Sequence, residues 1–358
     1  MNISYFIGMS FQLYIMEIEI MTIIKLTPEE EASYQEDIID YDLRGRVYQD
    51  IPSVFRVVEI STSKMDDGSY VHKAELFHQD CRLSVSWNND QSYSGVSVFD
   101  LVTPQRLTFR NNWVHLAKGG LQVIEEPDAS INLFKTAPNS WVNYRDYLLK
   151  NAANYWDQMD EDCKLIFNQL MWQKDFFQRY CETPSSKDHH HNYLGGNLDH
   201  SVHVVDIMMA LAKDPQIRVN QSFLILIGLI HDAGKFKEFF YQASGQDQPV
   251  ICRTPHAKLI GHKTLLMMML GEAQSKLNDR IDQNKFLNII HCISSHYGGK
   301  PWLGIPSPLL QEAMLLQAAD HLSSEVDVHN NLFDQYEDRV SSNFHPIYRA
   351  QVYRSLGS

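Results

Sequence analysis

The sequence predicts an α+β chain, with a small β-barrel first and an all-α helical bundle after it. Three observations carry this reading. Between Leu43 and Glu126, short β-branched and aromatic runs alternate with turn residues. From Trp141 onward, apolar residues recur at helical spacing instead. Histidine follows the same division: His72, His78 and His115 precede residue 140, and thirteen of the 16 lie between 189 and 345. At 358 residues the chain is long enough for two domains, each burying its own core.

In chain order, residues 1–42 read as a lead-in, acidic from about 25 onward. Met1 to Met21 is apolar in patches but lacks a basic leading region and carries Glu17 and Glu19, so it is not read as a signal peptide. Met9, Met16 and Met21 are alternative starts, which leaves open whether the first twenty residues are native. Strands are expected at Arg46-Val47, Val54 to Ile60, Tyr70 to Phe77, Arg82 to Trp87, Leu107 to Phe109 and Leu121 to Ile124. Asp66-Asp67-Gly68 and Gly119-Gly120 supply turns. Five or six short strands at this spacing suit an OB-like barrel over 43–126. Phe55, Tyr70, Phe77, Trp87 and Phe109 are then either stacking platforms for bases or barrel core. Pro127 to Pro138 reads as a linker, set at 127–140, and the helical domain as 141–345.

Composition narrows the function classes. A net charge of −13 argues against a protein wrapped in non-specific nucleic acid. Residues 1–140 hold eleven Lys and Arg against twenty Asp and Glu, unlike a groove that tracks a phosphate backbone. Cys81, Cys163, Cys181, Cys252 and Cys292 form no C-x-x-C pair and read as reduced thiols of a cytoplasmic protein. No apolar run approaches membrane-spanning length. Neither G-x-x-x-x-G-K-[ST] nor a strand-borne G-x-G-x-x-G is present, which disfavours an NTPase or a dinucleotide enzyme.

The chemistry concentrates at His231-Asp232-Ala233-Gly234-Lys235, which closes the apolar run Phe223 to Ile230. Adjacent His and Asp are metal ligands, and a lysine three positions after the Asp suits a phosphate oxygen. The same pentapeptide is also compatible with an ordinary helix end. Other candidates share helix faces with apolar residues. His200 goes with Val204, Ile207 and Leu211, and His262 with Leu265, Leu266 and Met269. His296 follows Ile289 and Ile293, and Asp320 follows Leu316. Several helices can converge on one polar centre in this way.

The order His200, His231-Asp232, His262, His296, Asp320 resembles the HD superfamily of metal-dependent phosphohydrolases. His190-His191-Asn192-Tyr193-Leu194-Gly195-Gly196 before His200, Gly261-His262, and Ser295-His296-Tyr297-Gly298 are similar to the HD domain of bacterial YhaM-type 3′–5′ exoribonucleases. The likeness covers roughly 185–335; Asn197 departs from the small or apolar residue expected there. It implies an all-α HD domain behind an OB-like module, and metal-dependent cleavage of single-stranded RNA from its 3′ end. Asp232 would bridge two ions roughly 3.5–4 Å apart. His200, His231 and Asp320 would hold one ion, and His262 and His296 the other. Imidazole and carboxylate together favour Mn²⁺, Co²⁺, Fe or Zn²⁺ over Mg²⁺, with Mn²⁺ the first expectation. Asp232 and Lys235 are the candidate catalytic residues, and His190, His191 and Lys235 the candidate substrate contacts. The alternatives are an HD-type phosphohydrolase of a small nucleotide and a metal-stabilised protein without catalysis. Association of copies stays open.

Overall fold

The computed structural model describes residues 52–333, apart from 80, 105–106, 111–112, 117–120, 174, 188–190 and 243–249, together with 341–345 and 349–353. The lead-in, the strand at Arg46-Val47, the Gly119-Gly120 turn and His190 lie outside the described residues. By contact the chain divides into two units, one up to Pro127 with Leu133–Pro138, the other Asp128–Asn132 with Asn139 onward.

In the first unit three long strands form a meander: β1 (Phe55–Lys64), β2 (Tyr70–His78) and β3 (Cys81–Asn89). Asp67 tightens the first turn by accepting from Ser69 N at 2.9 Å, with Gly68 at φ +90° where a side chain would be strained. Four short strands complete the sheet: β4 (Leu101–Pro104), β5 (Leu107–Arg110), β6 (Trp113–Leu116) and β7 (Leu121–Val123). The order is β5-β6-β3-β2-β1-β4-β7, antiparallel except between β3 and β6. β5 and β7 stay at opposite ends, so among the described residues the ladder does not close into the expected barrel. β5 pairs only with β6 and β7 only with β4, so no described ladder joins the two ends.

Alternation on the pleat sends Phe55, Val57, Leu76, Leu83, Val85 and Trp87 into one core. Phe55, Phe77 and Trp87 are buried, which removes them as platforms for bases, while Tyr70 is half-buried. Leu133–Thr136 is a 3-10 turn with Leu133 and Phe134 buried, and the buried Arg56 donates through Nη2 to Thr136 Oγ1 at 2.9 Å.

The second unit is helical. α1 (Asp146–Gln158), α2 (Glu161–Met171), α3 (Phe176–Glu182) and α4 (Gly196–Leu211) lead to α5 (Gln221–Ile230). α5 is apolar on every side, as a helix buried all round must be, and starts where the Asn220 side chain accepts from Phe223 N at 3.0 Å. A 3-10 turn, Ala233–Lys237, leads into the hairpin of β8 (Phe239–Gln242) and β9 (Val250–Arg253). Then come α6 (Pro255–Leu259), α7 (His262–Lys276), α8 (Gln283–Ser294), α9 (Gln311–Phe333) and a last hairpin, β10 (Ser341–His345) with β11 (Ala350–Tyr353). Asn168 Nδ2 donates to the carbonyls of Asp128 and Ile131, so Asp128–Asn132 is part of this unit. None of the described helices is long and apolar enough to cross a membrane.

Candidate metal centre

Four of the residues singled out in the sequence converge. His200 on α4, His231 and Asp232 at the end of α5, and Asp320 on α9 offer ligand atoms that all lie within 4.8 Å of one another. His200 Nε2 is 3.1 Å from Asp320 Oδ1, 3.3 Å from His231 Nε2 and 3.6 Å from Asp232 Oδ2. His231 Nε2 is 3.4 Å from Asp232 Oδ2 and 3.8 Å from Asp320 Oδ1. Ligands about 2.1 Å from one ion sit roughly 3.0–3.4 Å apart in octahedral or tetrahedral sets, so these edges fit a divalent ion with little adjustment.

The outer nitrogens fit as well. His231 Nδ1–H donates to the Gly228 carbonyl at 2.8 Å, and because a carbonyl only accepts, Nδ1 carries a proton. His200 Nδ1 faces Ser323 Oγ at 3.0 Å, and that hydroxyl in turn faces His203 Nδ1 at 3.0 Å. Burial pushes the His200 pKa down to about 4, against the hydrogen bond to Asp320, so its ring is neutral at pH 7. For His231 burial opposes charging, but the Asp232 and Asp320 charges prevail and raise its pKa. Burial would raise Asp232, yet Lys235 and His231 hold its carboxyl well below the usual carboxylate range. The cluster therefore attracts positive charge, as a cation site must. His200 is fully buried, whereas the side chains of Asp320 and His262 are 35% and 29% exposed, so the centre opens to solvent on their side.

Asp232 faces two ways. Oδ2 points at His200 and His231 and accepts from Lys235 Nζ at 2.5 Å, while Oδ1 is 3.3 Å from His262 Nε2. Lys235 is buried and also donates to Ser185 Oγ at 3.0 Å, so it is not the solvated lysine of an ordinary helix end. Gly234 makes the doublet and His262 neighbours: a Cβ there would overlap the His262 carbonyl oxygen. Gly234→Ala is expected to lower the melting temperature by roughly 2–10 °C, the cost of forced overpacking. An unchanged thermal melt would show that α7 can give way freely.

The helical spacing holds unevenly. Val204 is buried below His200, but Leu211 is exposed because α4 has run past the core. Leu265, Leu266 and Met269 are buried beneath His262, and Leu316 beneath Asp320. Ile289 and Ile293 are buried, yet α8 stops at Ser294 and Ser295 is extended, so the face does not continue to His296. His296 is exposed, its Nδ1–H donates to the Tyr297 carbonyl at 2.6 Å, and the four-residue cluster does not include it.

His191 is buried beside the centre, its ring centroid 5.6 Å from that of His200. Several residues that the motif reading passed over hold it there. Its amide donates to Asp327 Oδ2 at 3.0 Å, and Nδ1 lies 2.8 Å from the Tyr193 hydroxyl, which donates to Asp199 Oδ2 at 2.9 Å. Arg145 caps Tyr193 at 4.3 Å and pairs with Asp199 at 2.6 Å. A Cβ at Gly196 would overlap the His191 carbonyl, which accounts for the glycine at the start of α4. Ser185, Ser323 and Glu238 were likewise passed over; none stands at a ligand-like spacing. His321, beside Asp320, is exposed.

The HD domain family matches residues 197–325. The 3′-5′ exoribonuclease YhaM of Bacillus subtilis is 27% identical over 161 residues, 45% of this chain and 47% of its own. That of Bacillus velezensis is 25% identical over 223 residues, 60% of this chain and 66% of its own, and that of Shouchella clausii 28% over 163 residues, 46% and 47%. The chain thus spans about half to two-thirds of the length of these curated relatives.

Proposed function

From a chain that carries an HD domain and is YhaM-like, we propose a metal-dependent phosphodiester hydrolase that shortens single-stranded RNA from its 3′ end. The observation that carries the proposal is the convergence of His200, His231, Asp232 and Asp320, drawn from three separate helical segments into one solvent-open site. In this reading His200, His231 and Asp320 would hold one ion, His262 with His296 would serve a second, and Asp232 would be shared between them. The two-sided contacts of Asp232 support the bridge. His262 has support from its approach to Asp232 Oδ1; His296 rests on the motif alone, with Nε2 as its remaining donor. When bound, divalent ions lower the pKa of a water and neutralise charge on the phosphate; Mn²⁺ suits this mixed imidazole and carboxylate set.

The chain's own residues supply the rest. His200 and His231 turn their Nε2 atoms inward, with the outer Nδ1 atoms engaged by Ser323 and by the Gly228 carbonyl. The ammonium of Lys235 has a further N–H for a non-bridging phosphate oxygen beside Asp232. His191, held by Asp327 and Tyr193, stands beside His200 as a substrate contact. For the N-terminal sheet the OB-like, RNA-binding reading remains, since an OB-fold is itself a partly open barrel. Cytoplasmic action agrees with five free thiols. The small-nucleotide reading is favoured by the burial of Phe55, Phe77 and Trp87, which leaves fewer aromatic faces for bases.

The test is full-length protein with Mn²⁺ on 5′-end-labelled single-stranded RNA. A ladder of products shortened one nucleotide at a time is the expected result. Cleavage of a mononucleotide with intact RNA would decide for the rival reading. The intact chain is needed, because cutting at 140 would remove Asp128–Asn132 from the helical unit.

A further inference from the structure

Glu238 is a buried acid just past the 3-10 turn, in a stretch with no assigned role. Its backbone is pinned on both sides: its N–H donates to the Lys235 carbonyl at 2.8 Å, and its carbonyl accepts from Thr254 N at 2.8 Å. Thr254 Oγ1 donates to the Lys237 carbonyl at 2.7 Å, tying the hairpin end to the same turn. The carboxylate is thereby aimed at His262, with Oε1 3.4 Å from Nδ1. The opposite ring nitrogen, Nε2, faces Asp232 Oδ1 at 3.3 Å. The imidazole lies between two carboxylates, and a neutral ring has one N–H to donate. Only one tautomer serves both neighbours once a cation lies at Asp232: Nδ1–H toward Glu238, with the Nε2 lone pair toward the ion.

We propose that Glu238 is the positioning residue of the second ion site, fixing the tautomer and ring orientation of His262 so that Nε2 faces Asp232. The inference rests on the two-ion reading above, and its test separates the two. Metal-free full-length protein is titrated with Mn²⁺, free ion being read by electron paramagnetic resonance, with no substrate present. Glu238→Ala is expected to weaken the second ion by roughly 10–100-fold and leave the first unchanged, the usual effect of losing a carboxylate behind a ligating histidine. Glu238→Gln keeps an oxygen acceptor for Nδ1–H and is expected to stay within a few-fold of wild type. Glu238→Met fills the same volume without an acceptor; it should behave as the alanine variant and replaces it if that variant melts early.

His262→Ala is the control that tests the underlying reading. Should it lose the second ion while Glu238→Ala and Glu238→Met titrate like wild type, Glu238 plays no part and only this inference falls. Should Glu238→Gln lose the ion as completely as His262→Ala, Glu238 is itself a ligand and the positioning role is wrong. Should His262→Ala bind two ions normally, the two-ion assignment fails together with what is built on it.

Discussion

Asp232→Ala is expected to release both metal ions and to lower turnover by roughly three orders of magnitude or more. Its two oxygens do different work: Oδ2 faces His200, His231 and Lys235, and Oδ1 faces His262. Removing the carboxylate therefore takes a ligand from both sides at once, whereas His262→Ala should cost one ion. Several kcal/mol of charge stabilisation go with the ions, and each 1.36 kcal/mol is about tenfold in rate. Elemental analysis of dialysed protein is the direct measurement, and a full complement retained by the variant would sink the bridging assignment. Lys235 would lose its buried partner in the same variant, keeping only Ser185. A circular dichroism spectrum is thus needed alongside the metal analysis, since an uncompensated buried charge costs about 3–5 kcal/mol.

Lys235→Ala is expected to keep the metals yet lower kcat/KM by roughly 10²–10³, the loss typical of one group that stabilises transition-state charge. A protonated lysine cannot be a ligand, so metal content should hold. Burial of the lysine adds a consequence that a solvated side chain would not have. In metal-free protein the variant leaves Asp232 without its closest cation, so its melting temperature should fall below that of wild type. Adding Mn²⁺ should narrow the gap, because the ion replaces the missing charge. Steady-state kinetics with a phosphodiester and paired melts with and without Mn²⁺ read both effects. Near-wild-type turnover would strip Lys235 of any catalytic part and leave it as a structural counter-ion.

What could be read from the residues alone follows local rules. Alternation and turn residues located β1, β2 and β3, and the Asp66-Asp67-Gly68 turn between the first two. The short strands β4 and β6 are not among the expected ones, although β5 and β7, which are no longer, are. The all-apolar run ending at His231-Asp232 was legible as a buried helix, and the ordered His and Asp positions pointed to one centre. His296 shows the limit of helical spacing: Ile289 and Ile293 predict its direction only while the helix lasts, and α8 ends at Ser294, two residues before it.

The sequence by itself determined the division into a strand-rich and a helix-rich part, and the identities and order of the candidate ligands. Both are properties of residue type and near-neighbour spacing. Only the tertiary structure decided which candidate ligands meet, that the ladder of the described strands stays open, that Lys235 faces Asp232, and that Glu238 stands behind His262. Those facts depend on where distant segments pack. His200 and Asp320 are 120 positions apart yet 3.1 Å from one another, and no local pattern encodes that distance.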